Sequence, residues 1–84
     1  MSDIQGTLAA VRATIASIRA LDWALEEVSL DAAGTKATIA FDNCAALVHL
    51  YTIEASIFRA MGLPDEAKTS LEHASEEATD GGPN

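Results

Sequence analysis

The sequence has few of the features that reveal a protein's chemistry directly. Cysteine occurs once, at Cys44, so no disulfide can form within the chain, and a reducing, cytoplasmic setting fits. Only 5 Lys and Arg residues face 13 Asp and Glu residues, which gives a net charge of -8. The chain therefore lacks the basic stripes that follow nucleic-acid phosphates, and anionic membranes should repel it. We expect neither direct nucleic-acid binding nor membrane binding.

Other absences narrow the class of protein further. No uninterrupted apolar run approaches the ~18 residues of a transmembrane helix, and the first residues lack the charged and apolar regions of a signal peptide. The phosphate-binding loop, the zinc-protease motif and the Cys-x-x-Cys motif are all missing. The sequence therefore predicts a protein that is not an enzyme and that uses no cofactor or metal.

Apolar residues make up 49% of the chain, and the large ones concentrate in residues 42–63. On an α-helix this stretch would be apolar around most of its circumference, which is typical of a helix buried from more than one side. Asp42 suits its N-cap and Gly62 its C-cap. We therefore predict a central helix that the rest of the chain covers.

A first helix is predicted from about Asp3 to about Glu27. Ser2 and Gln5 have the spacing of a capping box, so Ser2 is the expected N-cap. The apolar residues alternate at spacings of four and three, which is typical of a packed helical seam: Ile4, Leu8, Val11, Ile15 and Ile18.

A third helix is predicted for residues 64–78, with Pro64 at its first position and acidic residues in its first turn. Residues 79–84 are rich in Gly, Asp and Pro and are predicted to form a disordered tail. Residues 1–78 then form a single small helical domain.

Residues 28–41 allow two interpretations. Between Thr35 and Phe41 the side chains fall into two alternating sets with many β-branched residues, which favours a strand. Residues 31–34 suit a type I turn closed by a glycine. We predict a mostly α domain with a short β-hairpin here, between the first and central helices. The alternative starts the central helix at Thr35 and makes the chain an all-α helical bundle.

Residues 51–78 show the pattern of a paired helical hairpin. Aromatic and small residues of one helix meet small and apolar residues of the next at fixed spacings: Tyr51, Ala55, Phe58, Gly62, Ala67, Leu71 and Ala74. This segment resembles a single tetratricopeptide-type hairpin. It departs from that pattern at Glu54, where leucine is usual, and at Thr79, where proline is usual. The resemblance implies peptide or protein binding without catalysis.

The first helix carries a stripe that suits contact with a protein partner. Arg12, Arg19 and Trp23 lie between its apolar and alanine-rich faces, and arginine and tryptophan are enriched at binding hot spots. The alternative is that Trp23 packs internally and both arginines pair with nearby acids. We predict these three residues as the partner-binding surface.

Glu54 projects from the apolar arc of the central helix. A buried carboxylate must be paired, protonated or hydrated. Glu54 has a structural role if it pairs with Arg12, Arg19 or an arginine of another chain, or if it is exposed at an edge. The functional interpretation makes it the acid of a binding site.

We expect the central helix to have more apolar surface than the flanking helices can cover, and an uncovered apolar patch usually marks an interface. We therefore predict a homodimer whose two-fold contact uses one face of this helix. The predicted interface consists of Leu50, Ile53, Glu54, Ile57 and Met61.

These observations favour a small acidic module or adaptor that binds another protein and forms a homodimer. The alternative is an acidic inhibitor or nucleic-acid mimic, of the phage-encoded antagonist type, that blocks a cationic groove of a nuclease or other nucleic-acid-binding complex. That function requires carboxylates on one continuous face. A third hypothesis is a non-catalytic subunit or a small-molecule-binding protein with a pocket around Glu54.

Overall fold

The computed structural model describes residues 3–27 and 33–81. Within these ranges the chain forms three α-helices: α1 (Ile4–Glu26), α2 (Ala33–Ala60) and α3 (Pro64–Gly81). The mostly α class is confirmed, and the all-α alternative is the one that fits. No helix in the described ranges is long and apolar enough to cross a membrane.

The β-hairpin predicted for residues 28–41 is wrong where the structure describes it, because residues 33–41 are the first turns of α2. Residues 28–32 lie outside the described part. Thr38 Oγ1 donates to the carbonyl oxygen of Gly34 at 2.9 Å, so this β-branched residue is accommodated by a helix. A two-stranded ribbon is marginal alone, whereas extending an existing helix adds one hydrogen bond for each residue fixed. Asp42 accordingly lies inside α2 and is not its N-cap.

The ends of the helices follow local signals more closely. Asp3 is the N-cap of α1, and its carboxylate accepts a hydrogen bond from the Gly6 amide at 2.9 Å. The expected capping role of Ser2 is therefore filled by the next residue. Gly62 follows α2 with a φ of 77°, the left-handed conformation that a glycine tolerates after a helix. Helix α3 continues through Gly81, three residues into the predicted tail, whose remainder lies outside the described residues.

Helices α1 and α3 both pack against α2. Two groups of buried side chains join the three helices. The first contains Leu8, Ala55, Ile57, Phe58 and Ala67, and the second contains Ile15, Leu47, Tyr51 and Ala74. The order of these residues along the chain shows that α1 and α3 both run antiparallel to α2, so α1 and α3 point in the same direction.

The two ends of this bundle differ. We call the closed end the one that holds the turn between α2 and α3, and the open end the one where α1 finishes and α2 starts. Arg19 of α1 contacts Glu77 of α3, and Asp22 accepts a hydrogen bond from Asn43 of α2 at 2.6 Å. Asp22 lies three residues after Arg19, and Gly81 lies four residues after Glu77, so the Asp22–Asn43 bond is about level with the end of α3. The last residues of α1 and the first residues of α2 therefore extend beyond α3.

Candidate functional site

Glu54 is held in the interior of the chain by two side chains. Its exposed fraction is 6%. Ser70 Oγ of α3 donates to Glu54 Oε1 at 2.6 Å, and Arg12 Nε of α1 donates to Oε2 at 3.2 Å. Both carboxylate oxygens therefore have partners, and each comes from a different helix. This arrangement ties α1 and α3 to α2, which is the structural role considered for Glu54.

Both arginines of the predicted partner-binding surface have intramolecular contacts. The guanidinium of Arg12 also lies over the Phe58 ring, with its carbon 5.4 Å from the ring centroid. Arg19 Nη1 donates to the Tyr51 hydroxyl at 2.8 Å and to the Glu77 carboxylate at 3.4 Å. Trp23 is 71% exposed. The side chains of Arg12 and Arg19 are also 61% and 50% exposed. All three residues therefore reach the surface, and the two arginines also connect helices.

A small polar groove lies beside Arg19, between α1 and α3. It measures about 310 Å³ and is lined by Arg19, Tyr51, His73, Glu76 and Glu77. The rings of Tyr51 and His73 lie 5.3 Å apart and are tilted by 58°. Among the described residues, no three His, Cys, Asp or Glu side chains lie where they could share a metal ion. The groups of this groove mainly contact one another.

The residues predicted as a dimer interface take different positions. Glu54 and Ile57 are buried within the chain, and Leu50 and Met61 are partly buried against its two core clusters. Ile53 is 46% exposed. Helices α1 and α3 therefore cover more of α2 than the sequence analysis anticipated. Ile53 is the member of the set that offers substantial apolar surface to another molecule.

A second groove, the open-end groove, lies between the last turns of α1 and the first turns of α2. It measures about 300 Å³ and is lined by Asp22, Leu25, Glu26, Lys36, Ala40 and Cys44. Leu25 is buried, whereas Lys36 and Cys44 are half-buried. The groove is therefore lined by the apolar groups of Leu25 and Ala40 together with charged groups.

Two exposed aromatic side chains stand next to the open-end groove. Trp23 is three residues from Glu26 on α1, and Phe41 is three residues from Cys44 on α2, a spacing that makes each pair neighbours on a helix surface. Phe41 is 59% exposed. Trp23 belongs to the partner-binding surface predicted from the sequence, whereas Phe41 does not, because the predicted strand over residues 35–41 gives Phe41 no helical face. Phe41 lies four residues after Ala37 and three before Cys44, and on a helix this spacing places the three residues on one side.

Comparisons with protein families, with curated proteins and with solved structures gave no match for this chain. The tetratricopeptide resemblance of residues 51–78 therefore rests on residue spacing alone. The segment does form an antiparallel helix pair in which Tyr51, Ala55, Phe58, Ala67 and Ala74 are buried.

Proposed function

We propose that this protein is a small acidic module that acts by binding another protein through its open end. The observation that carries the proposal is the pair of exposed aromatic side chains, Trp23 and Phe41, beside the open-end groove. Large aromatic side chains supply much of the binding energy at protein interfaces, and exposing them in water has no benefit for folding.

The position of this surface on the fold supports the same function. The closed end is joined by both the core packing and the Glu54 hydrogen bonds. The open end can therefore engage a partner while the core stays packed. Arg12 and Arg19 contribute to this arrangement by positioning helices, and Trp23 contributes the contact.

The test is capture of partners from extracts of the native host by the tagged full chain, followed by binding measurements with each purified partner. Trp23→Ala with Phe41→Ala should abolish saturable binding while leaving the far-UV circular dichroism spectrum unchanged. Leu21→Ala is the matched control. Leu21 is also exposed on α1 but lies ~200° around the helix from Trp23. Partners that bind the double variant as tightly as the wild type would refute this surface.

Self-association through α2 remains a separate prediction, now centred on Ile53. Sedimentation equilibrium at micromolar concentration distinguishes a mass near the 8.8 kDa of one chain from twice that value. If a dimer forms there, Ile53→Asp should dissociate it, because a charge placed in an apolar contact must be desolvated. A mass of one chain throughout would refute the homodimer.

The nucleic-acid mimic is the second candidate, and one observation favours it. Asp65, Glu72 and Glu76 are all exposed on α3, and their spacings of seven and four residues place them on one outward face. Neutralising all three should abolish binding to a cationic partner if the protein is a mimic. If the same partner instead loses affinity with Trp23→Ala, the protein-binding module is the better description.

A further inference from the structure

The open-end groove occupies the position that a longer third helix would fill. Helix α2 has 28 residues and α3 has 18, so at ~1.5 Å per residue α2 is ~15 Å longer. The groove lies on the side of α2 that α3 covers elsewhere, because Cys44, Tyr51 and Ala55 share one helical stripe and the latter two are buried in the core. Ala40, an exposed lining residue, is small enough to let another backbone approach closely.

The charge around this groove is mostly negative. Asp22 and Glu26 line it, Glu27 follows directly, and Lys36 is its cation. Across the described residues, the ion pairs are Arg12 with Glu54 and Arg19 with Glu77, so Lys36 neutralises neither lining carboxylate by direct contact. Acidic residues at the end of α1 also oppose the helix dipole, which is negative there. The last turn of α1 has no basic residue to offset this.

We propose that the open-end groove binds a short basic amphipathic helix of the partner protein, a proposal that rests on the function proposed above. This partner helix lies end to end with α3, and about three of its turns lie beside α1 and α2. Its apolar residues contact Leu25, Ala40 and the two aromatic side chains, Trp23 and Phe41. Its Lys or Arg residues flank this apolar stripe and pair with Asp22, Glu26 and Glu27.

Charge complementarity favours this occupant over a second copy of the chain. Each copy carries a net charge of -8, and a two-fold contact through the groove would bring both sets of carboxylates together. Like charges at an interface suppress association, whereas a cationic partner is attracted to the same surface. The positive charges of a basic helix also offset the negative end of the α1 dipole, where the acidic residues are otherwise unfavourable.

The experiment uses the full chain and a fluorescein-labelled peptide of about 18 Leu and Lys residues, long enough to form a helix, with its leucines on one face. One control peptide has the same composition with the leucines scattered around the helix, and a second has Glu in place of Lys. Binding is followed by fluorescence anisotropy. The emission of Trp23, the single tryptophan of the chain, is followed in parallel with the unlabelled peptide.

We expect saturable binding of the amphipathic Lys peptide and a blue shift of the Trp23 emission, because docking removes the indole from water. Affinity should fall about tenfold with Phe41→Ala, as for an interface anchor. The double variant Glu26→Gln with Glu27→Gln should also bind about tenfold more weakly at low salt and lose most of its salt dependence. Leu21→Ala and Glu72→Gln, which lie elsewhere, should bind as the wild type does.

Three results would overturn this inference. Equally tight binding of the scattered and the amphipathic peptide would mean simple charge attraction. Unchanged binding by the Glu26 and Glu27 double variant would remove the role of the acids. A shift of the Trp23 emission with protein concentration in the absence of peptide would place a second copy in the groove.

Failure of this inference can be distinguished from failure of the proposed function. If a captured partner depends on Trp23 and Phe41 but is not displaced by the amphipathic peptide, the surface is correct and the basic-helix chemistry is wrong. If the peptide binds the groove but no host protein depends on these two residues, the groove is as described and the proposed function is wrong.

Discussion

Phe58 and Phe41 lie on the same helix and have opposite environments. Phe58, at the closed end, is 6% exposed and packs with Leu8, Ala55 and Ala67. Phe41, at the open end, is 59% exposed. The difference arises from the neighbours of α2, since α1 and α3 both contribute to the cluster around Phe58, whereas Phe41 lies beyond the end of α3.

This contrast suggests how one helix can serve two purposes. At the closed end, α2 gains stability from side chains on both sides, and Glu54 hydrogen bonds to each neighbouring helix. At the open end, the same helix presents apolar surface that folding does not use. Substitutions at the closed end should therefore change stability, whereas substitutions at the open end should change binding.

The largest expected effect is the loss of stability when Phe58 is truncated, and the same truncation of Phe41 is its comparison. Phe58→Ala should lower the free energy of unfolding by about 3 kcal/mol, because a buried aromatic side chain is lost and a cavity remains. Phe41→Ala should change it by less than about 0.5 kcal/mol, as is usual at exposed positions. Urea denaturation followed by circular dichroism measures both.

If Phe58→Ala does not fold, Phe58→Leu provides a milder test and should cost about 1 kcal/mol. Equal losses from matched substitutions of Phe58 and Phe41 would contradict the proposed difference between the two ends.

The next effect concerns the buried carboxylate. Glu54→Ala should lower the free energy of unfolding by about 2 kcal/mol, because it removes the partner of Ser70 and Arg12 and also leaves space. Glu26→Ala at the open end should have little effect on stability. Thermal unfolding at fixed pH compares the two variants.

Two further variants separate the causes of the Glu54 effect. Glu54→Met keeps most of the volume but removes the charge and both hydrogen bonds, so its difference from Glu54→Ala reports the cavity left by alanine. Arg12→Ala should cost less than Glu54→Ala, about 1 kcal/mol, since the Arg12 side chain is 61% exposed and water can replace part of its role. A larger loss from Arg12→Ala than from Glu54→Ala would show that the cation–π contact with Phe58 matters more.

The smallest expected changes in stability come from substituting one glycine near each end of the bundle. Gly62→Ala should destabilise the fold by about 1 kcal/mol, because its φ of 77° is unfavourable for a residue with a side chain. Gly34→Ala should stabilise it by about 0.5 kcal/mol, since Gly34 is helical, the added Cβ meets no described atom within 4 Å outside the backbone of its own helix, and alanine favours the helix. Chemical denaturation should show shifts of opposite sign. A stabilising Gly62→Ala would mean that the turn between α2 and α3 relaxes without penalty.

The sequence was informative about α1 and the turn after α2. The apolar row from Ile4 to Ile18 gave the buried face of α1, and Gly62 with Pro64 marked where α2 stops and α3 starts. These signals are local, since they depend on capping, backbone conformation and a repeat of four and three residues. The sequence alone therefore determined three helical segments and most of their ends.

Tertiary structure decided the rest. Residues 35–41 carry a strand-like alternation, yet they are helical, because their backbone continues a helix that packs against α1. Local propensity is too weak to settle so short a segment. The sequence offered Glu54 several possible partners, and the packing of α1 and α3 selected Arg12 and Ser70. The exposure of Phe41 likewise depends on where α3 ends relative to α2. The position of the end of α3 relative to Phe41 depends on residues far apart in the chain, so no local sequence pattern encodes it.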